Sequence, residues 1–127
     1  MSTARASAIL TIDTNAIREN YQILSNISAP ARAAPVIKAN GYGCGVENII
    51  AALEPSSPPF YFVATLNEGI TARQFTARPI VILNGLFHGA EDEYITHGLT
   101  PLCASIDDIS RWQQYDAPYM WQIDTGR

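Results

Sequence analysis

Lys38 is the only lysine in this chain of 127 residues; every other basic side chain is an arginine or one of two histidines. It follows the apolar run Ala33-Ala34-Pro35-Val36-Ile37, so it reads as a strand-end residue and not as part of a solvated helix face. A lysine amine partly withdrawn from water is the kind of nucleophile that attacks an aldehyde to form a Schiff base. Directly after it comes Gly41-Tyr42-Gly43-Cys44-Gly45. Glycines permit tight turns and close approach of backbone to a ligand. Backbone N–H groups at the start of the next helix can hold an anion such as phosphate, and Tyr42 offers a phenol donor to the same anion. A nucleophilic lysine, a phosphate cradle and a tyrosine donor are together what pyridoxal 5'-phosphate (PLP) needs. The same residues also suit a plainer arrangement, in which Lys38 snorkels at a strand end and the glycines only shape a turn.

The elements that must place Lys38 alternate between short apolar runs and helical patterns. Ile9–Ile12 reads as a leading strand, followed by Asp13 or Thr14 as the cap of a helix with Ile17, Tyr21 and Leu24 on one face. Pro35–Lys38 is the next strand, and the glycine-rich turn leads into a helix with Val46, Ile49, Ile50 and Leu53 inward. Pro55, Pro58 and Pro59 end that helix. Phe60–Ala64, Ile80–Leu83, Leu99–Ala104 and Tyr119–Ile123 read as further strands. Between them, helices open at the capping box Thr65-Leu66-Asn67-Glu68, near Glu91, and at Ser105, the last with Ile106, Ile109 and Trp112 inward.

Strand and helix alternate with a repeat of roughly 20–25 residues, which argues for parallel strands joined by crossover helices. The strands are near-continuous apolar runs, as in a parallel sheet covered on both faces. An open doubly wound sheet and a (β/α)8 barrel both fit. The regular repeat, without a dinucleotide-type Gly-x-Gly-x-x-Gly after the first strand, favours the barrel. A full barrel takes about 250 residues, so the expected architecture is an incomplete TIM-type barrel, with about five of eight parallel strands plus the leading strand. Open apolar strand edges further suggest a fragment.

Pro35-Val36-Ile37-Lys38-Ala39-Asn40-Gly41-Tyr42-Gly43-Cys44-Gly45 resembles the PLP-lysine signature of the alanine racemase family. Phe62–Ile70, Ile80–Gly85, Ile123–Gly126 and the opening Ile12–Tyr21 are similar to later and earlier segments of that family, in the same order. The resemblance covers nearly the whole chain. It implies a fold-type III PLP enzyme that interconverts L- and D-alanine, supplying D-alanine for cell-wall synthesis, with residues 1–127 as the N-terminal part of the barrel domain. Lys38 would carry PLP and act as the base on one face of the substrate, Tyr42 would bind the cofactor phosphate, and Leu83 would lie against the cofactor ring. The opposing base would be a tyrosine from a second, β-rich domain that these residues do not contain, contributed across a homodimer. The isolated chain is then expected to be inactive, and a non-catalytic PLP-binding barrel is the alternative. Cys44 stands where many relatives have histidine, and Gly41 replaces a common alanine, a mild departure.

Net charge is −4 and no Lys/Arg cluster is present, which speaks against nucleic-acid binding. No apolar run has the length of a membrane span or a secretory signal, so the expected location is the cytoplasm. Cys44 and Cys103 suggest neither a disulfide framework nor a metal site. His88 and His97 read as a turn residue and a helix-end partner, Trp112 and Trp121 as packing aromatics, and Asp107, Asp108 and Glu91–Glu93 as acidic helix starts.

Overall fold

The computed structural model describes residues 6–126. Asp13 caps the first helix, α1 (Thr14–Ser28), by accepting from the N–H groups of Asn15 and Ala16. One turn, α2 (Lys38–Tyr42), leads into α3 (Val46–Leu53), on which α1 packs. Then β1 (Tyr61–Val63), α4 (Leu66–Arg73), β2 (Ile80–Ile82), α5 (Glu91–His97), β3 (Leu99–Cys103), α6 (Ile106–Trp112) and β4 (Met120–Trp121) alternate.

The four strands are parallel and lie in sequence order, β1-β2-β3-β4. Val36 adds a fifth rung beside β1 by pairing with Phe62, also in parallel. Strand order decides between the two architectures that the sequence allows. A doubly wound sheet reverses direction at a switch point, whereas a barrel adds each strand next to its predecessor. Here every strand neighbours its predecessor, so the sheet is the open first part of a barrel wall.

Alternate strand residues point to opposite faces. Tyr61, Val63, Ile80, Ile82, Leu99 and Cys103 are buried on one parity, where they form a core with Ile50 and Leu53 of α3, Leu66 and Ala72 of α4, Tyr94 of α5 and Trp112 of α6. The other parity runs across the sheet as Val36, Phe62, Val81 and Thr100. Gly69 lets α4 come close to the sheet: a Cβ there would stand 2.6 Å from Ile82 Cδ1. The capping box that opens α4 is present, with Thr65 accepting from the Glu68 N–H and Glu68 reaching back to the Thr65 N–H.

The N-terminal ends of the strands are tied by polar groups. The Glu54 carboxylate accepts from Thr76 Oγ1 at 2.6 Å, Arg78 Nε at 2.9 Å and Tyr61 Oη at 3.2 Å. Arg73 donates to the carbonyls of Thr76, Arg78, His97 and Gly98, each at 2.8 Å, joining the ends of α4 and α5 to the starts of β2 and β3.

Four expectations need correction. Ile9–Ile12 forms no strand; Ile9 and Leu10 are 69% and 81% exposed. An apolar run becomes a strand only beside a free sheet edge, and the chain turns into α1 before it reaches one. Leu24 is exposed, because only Ile17 and Tyr21 of α1 reach the core. Ile106 is exposed, since the first turn of α6 lies beyond the sheet, while Trp112 at its far end is fully buried. Trp121 is exposed because no further strand covers β4 among the described residues.

Candidate active site

Lys38 stands where the strand begun at Pro35 gives way to α2. The ladder holds up to that point: Ile37 donates to the Phe62 carbonyl and Phe62 to the Pro35 carbonyl, both at 2.8 Å. Then Ala39, Asn40, Gly41 and Tyr42 all adopt positive φ, between 51° and 63°. They form one left-handed turn, closed by Gly41 N–H donating to Ile37 O and Gly43 N–H to Ala39 O. Left-handed helix costs L-residues roughly 1–2 kcal/mol each, so tertiary contacts must hold the three that are not glycine.

Two side chains supply those contacts. Asn40 Oδ1 accepts from the Val46 N–H at 3.0 Å, and the Asn40 carbonyl accepts from Gly45. Glu68 Oε1 accepts from the Ala39 N–H at 2.8 Å, while its Oε2 accepts from Ala64 at 2.8 Å and Thr65 at 3.2 Å. Four of the N–H groups leading into α3 are bound internally. Val46 N–H is bound by Asn40, and the N–H groups of Gly43, Cys44 and Gly45 are bound by carbonyls of the turn. Nor is Gly41 interchangeable with alanine here: its φ is +63°, and a Cβ would stand 2.8 Å from Ile49 Cγ1.

Register places the candidate residues. Lys38, Ala64 and Leu83 each follow the last paired residues of their strands, at the C-terminal end of the sheet. Leu83 and Asn84 extend β2 by donating to the Val63 and Ala64 carbonyls at 2.8 and 3.0 Å. Lys38 and Leu83 thus end strands that lie two apart, at the end of the sheet where barrel enzymes keep their chemistry. Lys38 is half-buried and Tyr42 is 63% exposed. Among the described residues no carboxylate pairs with the Lys38 ammonium.

The remaining candidates are structural. His88 Nε2 meets Asp108 Oδ1 at 3.2 Å, which links the loop after β2 to the start of α6. Burial would raise the Asp108 carboxyl, but hydrogen bonds from Ser105, His88 and the Ala104 and Ser105 backbone outweigh it and hold it below the usual range. Burial pushes the Cys103 thiol up to about 11, so it stays protonated and inert. The described residues contain no group of three or more His, Cys, Asp or Glu side chains able to hold a metal ion. None of their helices is long and apolar enough to cross a membrane.

Glu68 is the residue that the sequence reading placed only in part. Its Thr-x-x-Glu spacing marks it as a cap, but its second role depends on a residue 29 positions earlier.

The sequence matches the family of the alanine racemase N-terminal domain over residues 12–127. It is similar to the catabolic alanine racemase of Mesorhizobium japonicum, 41% identical over 134 residues, covering 99% of this chain and 35% of the relative. It is also similar to alanine racemase 3 of Salmonella typhi, 35% identical over 129 residues, covering 95% and 35%. Among solved structures, the Bartonella henselae alanine racemase with covalently bound pyridoxal phosphate superposes with a TM-score of 0.83 at 33% identity, covering 91% of this chain and 34% of that one. The chain thus spans about a third of the length of the relatives it matches. A lysine at a strand end, a parallel sheet built strand by strand, and a family match over all but its first residues agree: the chain belongs to the alanine racemase family and covers its N-terminal, barrel-forming region.

Proposed function

We propose that this chain supplies the lysine half of a PLP-dependent alanine racemase, with Lys38 as the cofactor-bearing residue. The observation that carries the reading is the place of the chain's only lysine: at the C-terminal end of the sheet, just past the strand that pairs with β1, with Leu83 at the same end two strands away. The covalently bound pyridoxal phosphate of the Bartonella henselae relative supports it.

The residues suit the cofactor in three respects. Lys38 Nζ is held in no ion pair among the described residues and can bond an aldehyde carbon. Leu83 offers an apolar surface at the same end of the sheet, and the exposed Tyr42 phenol can donate to a phosphate. PLP, when bound, supplies the electron sink for the charge left at the substrate's α-carbon. Lys38 would hold the cofactor through Nζ, and the same nitrogen would accept or return the substrate's α-proton on one face. Leu83 would shield the cofactor from water, and Tyr42 would donate to its phosphate.

Racemisation needs a second base on the opposite face. In the complete enzyme we assign that base to a second domain reached across a homodimer, with alanine as substrate. Borohydride reduction of the chain with PLP, followed by peptide mapping, tests the reading. A pyridoxyl group on Lys38 that disappears in Lys38→Ala is the expected result. A folded chain labelled only at its amino terminus would overturn it. No D/L interconversion of alanine is expected from the isolated chain.

A further inference from the structure

We propose that Glu68 is a positioning residue for Lys38, acting through the backbone on either side of the strand end; this rests on the reading of Lys38 as the cofactor lysine. In a continuing parallel ladder, the rung after Ile37-Phe62 would join the Ala64 N–H to the Ile37 carbonyl and the Ala39 N–H to the Ala64 carbonyl. Neither bond forms. The left-handed turn brings the Gly41 N–H onto the Ile37 carbonyl at 3.0 Å, and the Ala64 carbonyl accepts from Asn84 at 3.0 Å. Two N–H groups, of Ala39 and Ala64, are left facing each other without a rung.

Glu68 fills that gap with one oxygen for each, both at 2.8 Å. Lys38 is therefore held by the ladder on its N-terminal side and by a carboxylate on its C-terminal side. The bridge requires an acceptor at both oxygens. A glutamine has only one acceptor oxygen and would set its NH2 against one of the two N–H donors. An aspartate keeps the charge but is one methylene too short to reach both strand ends. The cleft beside the bridge, about 280 Å³ and lined by Ile37, Asn40, Val46, Val63, Asn67 and Thr71 with Glu68, gives a displaced side chain room to move. A Glu68 variant thus releases the turn without being forced to break the core.

The test uses the 127-residue chain with Glu68→Gln, Glu68→Asp and, as control, Glu54→Gln, which weakens the opposite end of the sheet without touching Lys38. Three quantities are measured: pyridoxyl capture at Lys38, amide hydrogen exchange across residues 36–42, and thermal unfolding. Loss of charge-assisted hydrogen bonds to the strand end is expected to slow capture about tenfold in Glu68→Gln and to speed exchange at Ala39. Glu68→Asp should fall between it and the parent, so it reports even if the glutamine variant fails to fold. Glu54→Gln should lower the melting temperature and leave capture and exchange unchanged. Equal capture rates in the Glu68 and Glu54 variants at matched stability would overturn the assignment. If the parent chain takes up no pyridoxyl group at Lys38, the cofactor reading itself fails. The positioning role is then decided by acetylation of this single lysine with acetic anhydride across pH: a profile altered in Glu68→Gln supports it, and an unaltered one refutes it.

Discussion

At the level of single residues, Lys38 and Gly41 make opposite demands on the turn they share. Lys38 follows the strand that pairs with β1, and the left-handed turn begins directly after it. Gly41 lies inside that turn, packed on Ile49. Gly41→Ala combines an unfavourable φ with overpacking and should lower stability by about 2 kcal/mol, read as a shift in the urea midpoint. Lys38→Arg retains the charge but cannot form a Schiff base. It should fold with an unchanged melting temperature and bind no PLP covalently, and a melting shift as large as that of Gly41→Ala would show that Lys38 has a structural load as well.

Elements meet this site through their ends, not their middles. The Thr65 cap opens α4, and the Glu68 carboxylate in its first turn is held by the Ala39, Ala64 and Thr65 N–H groups, so the helix start and the lysine turn are one unit. Thr65→Ala removes one bond of the capping box and should cost about 1 kcal/mol in thermal unfolding. Because it leaves the Glu68 carboxylate in place, it should spare Lys38 labelling. At the other end of the same helix, Arg73 satisfies four carbonyls that no other group reaches in its place. Arg73→Ala should destabilise the chain by about 3 kcal/mol, detectable as a lower urea midpoint. The lysine variant, with a single point charge in place of a planar fork, should recover only part of that loss.

Across the molecule, the two ends of the sheet divide the work. The C-terminal ends carry Lys38, Leu83 and the left-handed turn. The N-terminal ends carry the Glu54 and Arg73 networks, which tie neighbouring units together and leave the first end free for chemistry. Stability should follow pH through Glu54. Burial by itself would raise its carboxyl, but hydrogen bonds from Thr76, Arg78 and Tyr61 with the Arg78 charge outweigh that and hold it below the ordinary value of 4.5. A carboxylate with a depressed folded pKa contributes stability that is fully present above its unfolded pKa and is lost as pH falls through the folded one. Melting temperature should therefore fall as pH drops below about 4.5, and Glu54→Gln should flatten that dependence. An equal pH dependence in the variant would assign the acid sensitivity to other carboxylates, Asp108 first, since it too is depressed.

Much of this architecture was legible in the residues themselves. Each strand from Phe60 onward announced itself as a short apolar run, the caps at Asp13, Thr65 and Ser105 were readable from their side chains, and the lone lysine with its glycines marked the candidate site. These are local signals: a cap bonds within three residues, and an apolar period depends only on the segment that carries it. What the tertiary structure decided involves partners far apart in sequence. Ile9–Ile12 had the composition of a strand but no edge to join. The glycine-rich turn proved left-handed through residues that individually disfavour that conformation, and the amides of residues 43–46 are bound by Asn40 and by carbonyls of the turn. The choice of barrel over doubly wound sheet lay in strand order, which no single strand encodes. Glu68 shows the division most clearly: its cap was written in a four-residue spacing, whereas its hold on Ala39 exists only because parallel pairing brings two distant strand ends together and then leaves their N–H groups without a rung.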